Sequence, residues 1–63
     1  MNATAESGVL FEFVTIGNSV KVIAIDEATG TEAVVVVPKN TPLPSMKMAG
    51  KRKLAYVLNK KPA

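Results

Sequence analysis

The sequence predicts an α+β fold, a three-stranded antiparallel β-meander packed on one C-terminal α-helix in the order β-β-β-α. Three observations carry this reading. Ile16-Gly17-Asn18-Ser19 and Asp26-Glu27-Ala28-Thr29-Gly30-Thr31 are turn signatures between β-rich runs. After Ser45 the apolar residues change from strand-like alternation to helical spacing.

Residues 1–7 are polar and read as a flexible N-terminal tail, leaving one domain over residues 8–61. The tail has neither a positive n-region nor an apolar h-region, so no signal peptide is expected and the protein is read as cytoplasmic. The first strand spans 9–16 and the second 19–26, joined by Gly17-Asn18 as a two-residue II′ or I′ hairpin. That turn pairs Phe13 with Val22 and Phe11 with Ala24. In the second turn the Asp26 side chain opens the loop and Gly30 takes the left-handed position that closes it. Asp26 then faces Thr31, Val22 faces Val35 and Val20 faces Val37. The third strand, 31–37, ends at Pro38, which has no N–H for the ladder.

Residues 38–44 carry Pro38, Pro42 and Pro44 and form a stiff connector. Either Thr41 caps a helix beginning at Pro42, or Ser45 caps one beginning at Met46. Ser45 is preferred, because a residue directly before proline avoids the helical region and this handicaps Leu43. Met46, Gly50, Leu54, Val57 and Leu58 then share one helical face, and Asn59 to Pro62 supply the stop. A glycine in a helix interior costs about 1 kcal/mol relative to alanine. At Gly50 the compensation is either close approach to the sheet or a place in a frayed first turn.

Strand alternation puts Phe11, Phe13, Val20, Val22, Ala24, Ala33, Val35 and Val37 on the face that the helix covers. The opposite face carries Leu10, Glu12, Val14, Ile16, Lys21, Ile23, Ile25, Glu32, Val34 and Val36, of which seven are apolar. An antiparallel sheet with one face in water is normally far more polar than this. One helix cannot cover both faces. Leu10, Val14, Ile16, Ile23, Ile25, Val34 and Val36 are therefore the candidate interface. The third strand is also an edge apolar to both sides and without a protecting lysine or bulge, so edge pairing between copies rivals face stacking.

A chain of 63 residues with no cysteine and no histidine has neither a disulfide nor a zinc site to staple a small core. Association is the remaining common remedy. The longest apolar stretch, residues 33–37, is far short of the ~20 residues of a membrane span, and no membrane partner is expected. Charge is uneven. Residues 1–43 hold two lysines against five acids, a net of −3, whereas residues 44–63 hold six basic residues and no acid, a net of +6. Lys47, Lys51, Arg52, Lys53, Lys60 and Lys61 are accordingly the candidate polyanion-binding residues.

No constellation points to catalysis. The usual general base, histidine, is missing; Asp26 and Glu27 belong to a turn; Glu12 lies diagonal to Lys21 as a cross-strand ion pair. Ser7, Ser19 and Ser45 have no neighbouring base and suffice as tail, turn flank and cap. Thr29-Gly30-Thr31 lacks the remainder of a phosphate loop. Tyr56 is expected at the rim of the core. No catalytic residue, cofactor or metal is expected.

The β-β-β-α order is similar to that of small DNA-binding domains that insert a sheet into the major groove. The open face here lacks their arginine and aromatic groups. Leu10-Phe11-Glu12-Phe13, Ile16-Gly17-Asn18, Val20-Lys21-Val22, Ala24-Ile25-Asp26, Ala28-Thr29-Gly30-Thr31-Glu32 and Lys53-Leu54-Ala55-Tyr56-Val57-Leu58 resemble, over residues 10–58, a family of short uncharacterised bacterial proteins. That resemblance implies the fold unit and brings no activity or site.

Two functions follow from different surfaces. The first is a homodimerising or protein-binding module without catalytic activity, whose expected partner is a second copy of the chain. The second is a nucleic-acid-associated protein using the basic helix, with binding that is weak and indifferent to sequence.

Overall fold

The two turn signatures set the strand register as their residues require. In a computed structural model that describes residues 2–60, Gly17 has φ 58° while Asn18 does not share the positive sign, the pattern of a II′ turn. Strands β2 (Val9–Ile16) and β3 (Ser19–Asp26) pair with Phe13 opposite Val22 and Phe11 opposite Ala24. The Asp26 Oδ2 accepts from the Thr29 N–H at 3.1 Å and from its hydroxyl at 2.7 Å, and Gly30 closes the loop at φ 75°. Strand β4 (Glu32–Pro38) is thereby delivered with Val22 opposite Val35 and Val20 opposite Val37.

The sheet has four strands, not three. Residues read as a tail form β1 (Asn2–Glu6), antiparallel to β2 with Thr4 opposite Phe11, and the strand order is β1-β2-β3-β4. Ser7 and Gly8 both have positive φ, 52° and 80°, which is the requirement of a two-residue I′ hairpin. Alanine and asparagine, which make up most of residues 2–5, have little strand propensity. Pairing to β2 supplies what the local sequence does not.

Helix α1 (Leu43–Lys60) starts three residues before Met46, so Ser45 is not its cap. The first helical hydrogen bond runs from the Met46 N–H to the Pro42 carbonyl at 3.0 Å. Pro44 falls in the first turn, where the N–H groups have no intrahelical partner and a missing donor costs nothing. That outweighs the reluctance of Leu43 to be helical before proline.

The core lies between α1 and one sheet face. Phe11, Val22 and Ala24 are fully buried, joined by Val20, Ala33, Met46 and Leu54, with Val57 and Leu58 half-buried against them. Gly50 is buried at the centre: a Cβ there would stand 3.3 Å from Phe11 Cε1. Close approach, not fraying, is what the glycine serves. The helix lies chiefly over β3 and β4 and less over β2. Phe13, stacked on Phe11 with ring centroids 6.3 Å apart, is therefore left half-buried beside an open groove of about 590 Å³.

Candidate functional site

The face of the sheet away from α1 is the candidate site. Strand alternation and the observed register lay its side chains out in rows across the strands: Ala5, Leu10, Ile25, Glu32; then Ala3, Glu12, Ile23, Val34; then Val14, Lys21, Val36; then Ile16, Ser19, Pro38. All seven residues of the sequence-predicted interface lie together on it, and β1 adds two exposed alanines. Leu10, Val14, Ile23 and Ile25 are half-buried because cross-strand neighbours shelter one another. Ile16, Val34 and Val36 are exposed at 59%, 44% and 61%. No element of the described chain covers this face.

Two opposite charges stand at its centre. Glu12 and Lys21 occupy one diagonal of the central quartet and Val14 and Ile23 the other. The cross-strand ion pair expected between them is not formed. Among the described residues the ion pairs are those of Glu6 with Lys47 at 3.3 Å and with Lys51 at 2.7 Å. Both Glu12 and Lys21 are half-buried among β-branched neighbours and make no side-chain hydrogen bond to the described residues.

The basic helix is rearranged by β1. Because Thr4 and Glu6 point to the helix side, the Glu6 carboxylate reaches both Lys47 and Lys51. Hydrogen bonds first from Lys51 and then from Lys47, with their charges, hold the Glu6 carboxyl below the usual carboxylate range. Two of the six candidate polyanion contacts are thus already engaged by an acid. Lys53 and Lys60 lie with their ammonium groups 5.8 Å and 5.4 Å from the Tyr56 ring centroid. Tyr56 is not at the rim of the core; it is 56% exposed on the outer side of the helix, between these two cations. Arg52 is exposed, and Lys61 lies outside the described residues. Sequence reasoning missed Glu6 as a partner of the helix because it missed β1; the Ser7-Gly8 dipeptide was the available signal.

Among the described residues no three His, Cys, Asp or Glu side chains stand together as a metal site. No helix among them is long and apolar enough to cross a membrane.

The chain belongs to a family described as a domain of unknown function (DUF6898), whose model matches residues 6–61. The match runs from the last residue of β1 past the end of α1. No curated protein and no solved structure matches the chain.

Proposed function

We propose that this domain is a small cytoplasmic association module without catalytic activity, and that it homodimerises through the open face of its sheet. One observation supports the reading above the others: seven large apolar side chains share a sheet face that α1 does not cover. Four strands spaced about 4.8 Å apart and up to eight residues long give a footprint of roughly 500 Å² per subunit. Two such faces reach the total of about 1,000 Å² at which biological interfaces begin. Burial of about 400 Å² of apolar surface on each subunit is worth roughly 10 kcal/mol per subunit, before the cost of association.

Analytical ultracentrifugation at micromolar concentration tests the proposal, with Ile23→Asp as the control. The wild type is expected to be a dimer and the variant a folded monomer. A wild type that remains monomeric at high micromolar concentration removes the proposal.

Nucleic-acid association through α1 is the second reading, and the Glu6 pairs count against it. Binding through the remaining cations would fall with salt at a slope near 0.9 per phosphate contacted on duplex DNA.

A further inference from the structure

We infer that the dimer is fixed by two reciprocal ion pairs at its centre, Glu12 of each subunit against Lys21 of the other; the inference rests on the reading of the open face as the dimer interface. The face carries a mismatch. Glu12 and Lys21 lie half-buried in the middle of a face whose remaining polar side chains, Glu32 and Ser19, are in its outer rows; they stand on adjacent strands, without an ion pair or side-chain hydrogen bond to the described residues of the subunit. Covering this face takes both charges further from water, and a charge buried without a partner is strongly unfavourable. The occupant must therefore bring a cation to Glu12 and an anion to Lys21, at the spacing of a cross-strand diagonal. A purely apolar occupant brings neither. A second copy brings both at that spacing.

Symmetry supplies the geometry. A twofold axis in the interface plane, through the midpoint of the Glu12–Lys21 diagonal and perpendicular to it, places each residue opposite the other's copy. The same axis runs close to the line from Val14 to Ile23, so each of these apolar residues meets its own copy. A diagonal of about 7–8 Å across strands about 4.8 Å apart runs roughly 40° from the strand direction. The strands of the two subunits then cross near a right angle, which is one of the two common ways sheets pack face to face. The midpoint lies between β2 and β3, the two inner strands, so the pairs sit where the interface is driest.

The single reversals Glu12→Lys and Lys21→Glu each set like charges against each other twice per dimer. Each is expected to weaken self-association on the order of a hundredfold in sedimentation equilibrium. An equimolar mixture of the two restores a heterodimer, because one subunit then brings two positive charges to the two negative charges of the other. The doubly reversed variant Glu12→Lys/Lys21→Glu keeps every attraction within itself. It is expected to dimerise as the wild type does, yet to exchange subunits with isotope-labelled wild type far below the statistical fraction in native mass spectrometry. This arm stands even where a single variant does not fold. Statistical exchange, or single variants that dimerise undiminished, overturns the Glu12–Lys21 pairing and leaves the dimer intact as a reading. A monomeric wild type overturns the dimer itself.

Discussion

Gly50 of α1 lies against Val22 of β3 so closely that a Cβ built on the glycine would stand 3.2 Å from the valine Cγ1. Ala24 Cβ would stand 3.5 Å away on the same side, and Val22, Ala24 and Phe11 are all fully buried. Each neighbour is enclosed by the core and has little room to give.

For that reason Gly50→Val is expected to destabilise the domain by about 1–3 kcal/mol, the usual cost of forcing extra carbons into a packed core. Gly50→Ala should be close to neutral, since a gain of about 1 kcal/mol in helix propensity offsets a contact that needs only a few tenths of an ångström. Thermal melts of the two variants decide. A valine variant that melts with the wild type would show that α1 slides along the sheet.

Gly30 tests the second turn separately from packing. Nothing lies within 4 Å of a Cβ built there, yet its φ of 75° is one that side chains rarely adopt. Gly30→Val should therefore cost about 1–3 kcal/mol through backbone strain alone. An unchanged melting temperature would mean that the loop has another conformation open to it.

The Glu6 pairs make the docking of β1 pH-dependent. The folded-state pKa of Glu6 is lowered, chiefly by its hydrogen bond from Lys51. The stabilisation is therefore present above the unfolded pKa and is lost as pH falls through the lower folded value. Backbone heteronuclear NOEs of Ala3, Thr4 and Ala5 should hold from neutral pH down to the ordinary glutamate value near about 4.3 and drop as the pH falls below it. In Glu6→Gln they should already be low at neutral pH. Identical profiles for the two proteins would assign β1 to its backbone pairing with β2 alone.

Face stacking and edge pairing of the dimer differ at β4. The hydrogen bond from the Asp26 N–H to the Thr31 carbonyl, 2.8 Å, marks that pair as bonded. Alternation then turns the N–H groups of Val34 and Val36 outward, on the same side as Pro38, which has none to lose. In a face-stacked dimer these two amides exchange quickly with solvent. Protection of both in the dimer would favour pairing of β4 with its copy.

What the sequence determined by itself was local chemistry and its direct consequences. Gly17-Asn18 and Asp26 with Gly30 dictate turns, turns dictate register, and register assigns Phe11, Val22 and Ala24 to one face and Leu10, Ile23 and Val34 to the other. Because the side-chain period of a strand is two, that division holds once the turns are placed. Tertiary structure decided the rest, where local preference was weak or contrary. Asn2–Glu6, weak in strand propensity, becomes a strand because the Ser7-Gly8 turn returns it to the edge that β2 offers, and Leu43 becomes helical before proline because the first turn tolerates the missing donor. Lys47 and Lys51 pair with Glu6 across a separation of about forty residues, a contact between segments that no local pattern encodes. The free energy of such contacts depends on where the whole sheet carries each side chain, and only the folded arrangement fixes that.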